Sequence, residues 1–553
     1  MTQPNNSPTL KELLLPAFKG DLLDDQKTRI SYANDASIFE VVPALVACPR
    51  DVEDIKSIVR AVTAHQELSP RPSITARAAG TGMAGGALSD SIVLDMKNFN
   101  TIKEVTNDYV ITEPGVYYRD LEKATLAKGR IMPSYPASKM LCAVGGMVGT
   151  NASGEKTLNY GSTDRYVQGL KVVLADGNEY TLSSLSKDEL SQKMHLATFE
   201  GELYRKMHDL LEKNYDVIKN AKPRVSKNCA GYALWNIWDR KTFDLTKLFT
   251  GSEGTLGITS EITFALVEPK SKTKLLVIFV RDLDKLPALV TNVLLHKPET
   301  FESYDDNTFK FALRFFPDIM RSLRARGLFK LAIRFIPEFI MALTGGIPKM
   351  VLLAEFAGTD EEEVLTRTRE AEKSLSSFGV KAHIATTKGD AEKYWTIRHE
   401  SFNLLRHHGG LRRTAPFIED IVVAPENLPA FLPRLTMILE SYGLIYTVAG
   451  HIGDGNLHII PLMNLRNAKE REVLMEVAQK VFDLVLEFGG SISGEHNDGL
   501  IRTPFLKQMY GETIYKLFEE TKNIFDPKNI FNPGKKVYGN SLSFVKDHID
   551  QVY

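Results

Sequence analysis

Two histidines late in the chain, His451 and His458, bracket Ile452-Gly453-Asp454-Gly455-Asn456-Leu457. Gly453–Asn456 is a turn sequence, with strand-like residues before His451 and after His458. If Ile452 and Leu457 flank the turn, the two histidines become directly opposed cross-strand neighbours. Their side chains then share one face about 5 Å apart, close enough for both imidazoles to bind one metal ion. The plainer alternative is a hairpin flanked by two hydrogen-bonded histidines. Downstream, Glu495 and His496 stand in the small-residue segment Gly494–Gly499, after an apolar helix that ends at Gly489-Gly490. Two His and one Glu form a common catalytic ligand set that leaves a coordination position open.

A second group of residues suits a long anionic ligand. Gly80-Thr81-Gly82-Met83-Ala84-Gly85 reads as G-x-G-x-x-G after a strand, but Gly86-Ala87 leads to another strand at Ser91–Met96. Without a helix behind the loop, the usual Rossmann phosphate site cannot form. The small residues from Ala78 to Gly86 still let backbone N–H groups wrap an anion such as a pyrophosphate. Gly145-Gly146-Met147-Val148-Gly149-Thr150-Asn151-Ala152-Ser153-Gly154 reads as too Gly-rich for a packed helix and too small-chained for a solvent loop. It suggests backbone held against a flat ligand. Tyr160–Asp164 and Gly251–Gly257 have the same character. Any one of these is readable as a turn. Four of them at strand ends in one region favour a long cofactor.

The elements that must position these residues fall into successive stretches. Residues 1–40 read as a helical leader. From 41 to 268, short β-rich runs alternate with helices, among them a helix N-capped by Asp51. A second unit spans 269–503, and 504–553 is helical and returns to the first unit. The 553 residues, at about 150 per domain, allow three or four folding units or two large ones. Hydrophobic residues are 43% and charged residues 25%, so a sizeable core is expected. Lys plus Arg (68) nearly cancel Asp plus Glu (69), which gives no electrostatic case for a nucleic-acid partner. Cys48, Cys142 and Cys229 are too few and too far apart for a disulfide framework, a zinc knuckle or an iron–sulfur ladder. The N-terminus lacks a signal-peptide pattern, and no apolar run reaches the roughly 18–20 residues of a membrane span. The expected compartment is cytoplasmic.

RAAGTGMAGG, GGMVGTNASG with YGSTDRYVQGLKVVLADG, and LFTGSEGTLGITSEITF resemble the FAD-binding half of the vanillyl-alcohol-oxidase/PCMH superfamily. The resemblance is greatest to its D-lactate and D-2-hydroxyglutarate dehydrogenase branch, and it runs from about Tyr32 to Lys535. It implies an α+β chain: a PCMH-type FAD-binding domain of two α+β subdomains, and a substrate (cap) domain with an antiparallel sheet and flanking helices. The cofactor-binding residues it implies are Arg77, Ala79, Gly80, Thr81, Gly82, Met83, Gly85 and Gly86 in the first loop. Gly145, Gly146, Gly149, Asn151, Ser153, Gly154, Gly161 and Thr163 follow in the second region, then Glu253, Gly254, Gly257, Ile258 and Asn532. Thr81 stands where several relatives carry a flavin-linked His, which implies non-covalent FAD. Cys142 near the second loop reads as a buried structural thiol.

The same resemblance covers the HxGDGNLH and GEH signatures. It implies that His451, His458 and Glu495 hold a divalent metal, zinc or manganese, and that His496 is the catalytic base. Relatives usually follow GEH with Gly, whereas this chain has Asn497-Asp498. Arg398 in Tyr394-Trp-Thr-Ile-Arg398 matches the branch's substrate-binding W-x-x-R, with Arg406, Arg412 and Arg413 as nearby competitors. The implied reaction oxidises a D-2-hydroxy acid. The substrate chelates the metal through its hydroxyl and carboxylate, His496 takes the hydroxyl proton, and the carbinol hydrogen passes as hydride to flavin N5. Arg398 supplies a bidentate carboxylate clamp. Electrons would pass on to a quinone, cytochrome or electron-transfer flavoprotein. The rival reading is an alkyl-dihydroxyacetone-phosphate-synthase-like transferase, which shares the fold and uses flavin without net redox.

One segment has no place in this chemistry. Between Lys310 and Arg334 seven basic residues face one acid, Asp318, amid many Phe, Leu and Ile, and the apolar texture continues to Leu343. Residues 310–343 suit peripheral contact with an anionic membrane, where a quinone could take electrons. A lid over the substrate domain is the alternative.

Overall fold

The computed structural model describes residues 9–308, 310, 347–387, 389–398, 412–539 and 542–551. Apart from Lys310, the basic segment 310–343 lies outside the described residues, as does Arg406. Among the described residues, no helix is long and apolar enough to cross a membrane.

The first unit holds two sheets. Strands β1 (Asp21–Leu23), β2 (Leu45–Cys48), β3 (Ile74–Arg77) and β4 (Ile92–Asp95) lie in the order β1-β2-β4-β3. The pairs β2–β4 and β4–β3 are parallel. β2 and β4 are buried along their whole length, as parallel strands covered on both faces must be. The helix Val52–Ala64 covers the sheet, and the Asp51 carboxylate caps it by accepting from the N–H groups of Glu53 and Asp54. The second sheet runs antiparallel through β5 (Ile102–Val105), β6 (Tyr109–Thr112), β7 (Val167–Val173), β8 (Glu179–Ser186), β9 (Thr242–Asp244) and β10 (Ile258–Ala265). Its order is β5-β6-β10-β7-β8-β9. Strict alternation of buried and half-buried residues along β10 fits a sheet with one face on a core.

The second unit is one large antiparallel sheet. Its strands are β11 (Lys272–Val280), β12 (Thr300–Asp305), β13 (Met350–Gly358), β14 (Lys381–Ile384), β15 (Arg413–Thr414), β16 (Ile421–Val422), β17 (Ile445–His451) and β18 (Asn456–Met463). The order is β14-β11-β13-β12-β17-β18-β15, with β16 also on β18. The helices Leu286–Leu295, Leu428–Ser441 and Ala468–Glu487 bury their apolar faces in one continuous core with the sheet. The chain then returns to the first unit: Phe531 bridges Ile74, and the Asn532 N–H donates to the Ile74 carbonyl.

Two expectations about local structure are corrected. The leader is not purely helical, because Asp21–Leu23 adds an edge strand to β2. There Gly20 lets the chain pass Cys48, whose carbonyl oxygen would lie 2.1 Å from a Cβ at that position. The Gly145 region is helical over Val144–Thr150 despite its glycines. Close packing decides this: a Cβ on Gly145 would fall 2.5 Å from Pro114, and Asn151 ends the helix in the left-handed region at φ 53°.

Candidate active site

A single cavity of about 980 Å³ begins at the glycine loops of the first unit and ends at the histidine hairpin of the second. Ala79, Gly80, Thr81, Gly82, Met83 and Gly86 line it from the first loop, which turns without a helix from β3 to β4. Gly145, Gly146 and Gly149 line it from the Gly-rich helix, Ser153 from the segment that follows, and Glu253, Gly254 and Gly257 from the loop before β10. A Cβ on Gly82 or Gly149 would meet nothing within 4 Å, so these positions leave ligand space clear. A Cβ on Gly86 would fall 2.5 Å from Glu253, so the two loops need that glycine to approach each other.

The remaining residues expected to bind cofactor are not among those lining the cavity. Arg77 donates to the carbonyls of Tyr32 and Asn34, and its guanidinium packs under Gly80. Gly85, at φ 78°, packs on Phe39 and Leu500. Asn151 accepts from the Asp164 N–H, and Thr163 donates to Ala152. Gly154 approaches the Tyr135 carbonyl, Gly161 packs on Arg165, and Ile258 is buried in β10. Asn532 donates to the carbonyls of Gly86 and Glu253 at 2.9 and 2.7 Å, tying two lining loops together. Sequence reading missed Tyr135 to Cys142, which also line the cavity. Cys142 is buried there, and burial pushes its thiol up to about 12. Thr81 occupies the lining.

The histidine hairpin has a register different from the expected one. His451 pairs with Asn456 and His458 with Ala449, because the 3₁₀ turn Ile452–Asp454 closes through Gly455 at φ 67°. The histidines are thus diagonal rather than opposed, yet they share one face, with ring centroids 5.2 Å apart. Glu495 and His496 join them. One carboxylate oxygen of Glu495, Oε1, lies 3.1 Å from Nε2 of His451, 3.4 Å from Nε2 of His458 and 3.8 Å from Nε2 of His496. The rings of His458 and His496 stack at 5.3 Å.

Behind these groups stands a layer that no motif announced. Glu302 on β12 hydrogen-bonds His451 Nδ1, and Glu419 hydrogen-bonds His496 Nδ1. Burial opposes charge on both imidazoles, but the two carboxylates outweigh it and raise each to about 9. Burial likewise opposes ionisation of Glu302, yet His451 and Arg398 bring its carboxyl down to about 2. Glu419 is held well below its usual range against burial by His496 and by Arg502, which reaches it at 2.5 Å. Asp420, at φ 75°, accepts the backbone N–H groups of Gly494, Glu495 and His496 at 2.9, 3.0 and 2.8 Å. It holds the loop that presents Glu495 and His496.

Arg398 lines the cavity and pairs with Glu302 through Nε at 3.1 Å and a terminal nitrogen at 3.0 Å. Of its competitors, Arg412 is exposed, and Arg413 pairs with Asp550 at 3.1 Å. Asn497 and Asp498, which follow His496, anchor the loop to the first unit. Asn497 donates to the carbonyls of Thr150 and Gly251 at 3.1 and 3.0 Å, and Asp498 accepts from Gly231 N–H and Lys536 at 2.8 Å each.

The donor set fits a divalent cation. Ligand atoms of His451, His458 and Glu495 lie within 4.8 Å of one another. With a carboxylate holding the proton on its outer nitrogen, the neutral ring of His451 would present its Nε2 lone pair inward, as metal-bound imidazoles require. The glycine-lined end, with its bare backbone and open faces, fits a long flat cofactor.

Comparison with known proteins gives two family matches. The FAD binding domain family matches residues 43–183, and the C-terminal domain of FAD linked oxidases matches 269–536. A D-2-hydroxyglutarate dehydrogenase of Pseudomonas putida is 27% identical over 95% of this chain and 51% of its own length. The chain therefore spans about half the length of that relative. A D-lactate dehydrogenase of Archaeoglobus fulgidus is 27% identical over 91% of this chain and 96% of its own. A solved alkyldihydroxyacetonephosphate synthase shares the fold, with a TM-score of 0.64 at 15% identity, over 97% of this chain and 86% of that one. With the FAD binding domain ahead of the hairpin domain that bears the histidines, the chain carries both an FAD binding domain and the C-terminal domain of the FAD linked oxidases.

Proposed function

We propose that this protein is an FAD- and divalent-metal-dependent dehydrogenase that oxidises a D-2-hydroxy acid, of the D-lactate or D-2-hydroxyglutarate type, to the 2-oxo acid. The observation that carries the reading is the one cavity joining the glycine loops to His451, His458, Glu495 and His496. The names of the Pseudomonas and Archaeoglobus relatives support the substrate class. FAD held along the glycine loops would supply the acceptor for the carbinol hydride at N5, and zinc or manganese held by His451, His458 and Glu495 would supply the positive charge that acidifies a substrate hydroxyl.

The chain's own residues do the rest. In its neutral form, which a divalent cation held beside it would favour by repelling the imidazolium, His496 Nε2 accepts the hydroxyl proton, and Glu419 at Nδ1 stabilises the imidazolium that results. Arg398 orients the substrate carboxylate with a fork steadied by Glu302. Thr81 offers only a weakly nucleophilic hydroxyl in the first loop, which supports non-covalently held FAD. Electrons leave to a quinone, a cytochrome or an electron-transfer flavoprotein. The test is an anaerobic panel of D-2-hydroxy acids mixed with the purified holoprotein while flavin absorbance is followed. Bleaching by one of them supports the dehydrogenase. No bleaching by any would favour the synthase-like reading, whose chemistry leaves no reduced flavin.

A further inference from the structure

Lys227 is fully buried in the loop between the helix Tyr215–Asn220 and the 3₁₀ turn Leu234–Asn236, and the reaction outlined above gives it no task. Its ammonium lies 2.8 Å from Oε2 of Glu495, 3.3 Å from the Asn456 side-chain oxygen and 3.4 Å from the Gly154 carbonyl. Its three N–H groups therefore have three acceptors. Ser153 Oγ donates to the same Oε2 at 3.0 Å. The two oxygens of Glu495 are thus divided: Oε2 is taken by Lys227 and Ser153, while Oε1 alone faces the three imidazoles.

We propose that Lys227 is a positioning residue that keeps Glu495 a one-oxygen metal ligand. The inference rests on the metal reading of the His451–His458–Glu495 cluster and deepens it. A carboxylate beside a divalent cation can bind through one oxygen or both, and the choice sets how many positions stay open. A 2-hydroxy acid needs two of them, one for its hydroxyl and one for its carboxylate. With Oε2 engaged by a buried ammonium, Glu495 occupies one position and leaves room for the chelate. Without Lys227 the carboxylate is free to swing its second oxygen onto the ion and close a substrate position. Lys227 also ties Glu495 to Gly154, beside the cofactor loop, which fixes the ion's place relative to the flavin end of the cavity.

The test loads the holoprotein with Co²⁺ and reads its visible absorption and X-ray absorption fine structure, then titrates oxalate as an unreactive two-oxygen chelator. The wild type is expected to show one carboxylate oxygen on cobalt. Lys227→Gln should retain cobalt, gain a second carboxylate oxygen, lose absorption intensity and bind oxalate about tenfold or more weakly. Lys227→Arg, which keeps a charged donor, should keep the wild-type signature. Two-oxygen binding in the wild type, or identical spectra and oxalate affinity in Lys227→Gln, overturns the inference while leaving the metal reading intact. A wild type that takes up no cobalt overturns both. Because the first measurement uses the wild type, poor folding of a variant does not shield the proposal.

Discussion

Arg398 and His451 are held by the same carboxylate: Glu302 receives the guanidinium on Oε2 at 3.0 Å and bonds Nδ1 of His451 through Oε1. The candidate substrate clamp and the first candidate metal-ligating imidazole are thus fixed relative to each other by one buried side chain. Arg398→Lys is expected to be nearly as damaging as Arg398→Ala, since an ammonium cannot span Glu302 and a substrate carboxylate with a planar fork. Loss of such a charge-assisted contact lowers kcat/KM about 10- to 100-fold. Steady-state kinetics on the two variants checks this, and full activity in the Lys variant would make Arg398 a structural charge only.

His496→Ala should slow flavin reduction by about 100-fold or more while FAD stays bound, because the base goes and the glycine loops are untouched. His458→Ala should lose activity together with metal, measured by elemental analysis. Near-normal turnover in both variants would contradict the assignment.

Asp420 accepts three consecutive backbone N–H groups, which an amide cannot do on both of its atoms. Asp420→Asn is expected to destabilise the protein by roughly 1–3 kcal/mol, since it leaves buried donors unpaired. Urea unfolding, with metal uptake measured in parallel, decides this. Unchanged stability and uptake would mean that the loop is held elsewhere.

Stability should depend on Asp305. This buried carboxyl accepts from the Thr308 and Val448 N–H groups at 2.8 and 2.9 Å, but burial outweighs those bonds and raises it to about 6. The unfolded chain sheds the same proton near pH ~4, so between about 4 and 6 the folded state holds the extra proton. Stability contributed by this group is present below that window and is lost as pH rises through it, by up to roughly 3 kcal/mol. The slope of unfolding free energy from pH 4 to 6 should be shallower in Asp305→Asn. An identical slope refutes the assignment.

Purified protein should be yellow and release its flavin into the supernatant on acid precipitation, as Thr81 in the cavity lining implies. Colour that stays in the pellet would mean a covalent link through another residue.

The features legible in the chain itself were the local ones. A turn with two glycines between two strands puts His451 and His458 on one face in both the opposed and the observed diagonal register, because the two registers differ by two residues and the strand period is two. The missing helix after Gly85 likewise excluded a Rossmann site, and the structure has none there. What only the tertiary structure decided was which distant residues complete the site. Glu302 reaches His451 across 149 residues, Glu419 reaches His496 across 77, and Lys227 reaches Glu495 across 268. Each stands in a segment without a motif, since a carboxylate or ammonium that holds another side chain needs only a position. That position comes from the pairing of β12 with β17 and from the docking of one unit on the other. The helix at Val144–Thr150 shows the same division: seven residues with three glycines have little helical preference, and contact with Pro114 supplies what propensity withholds.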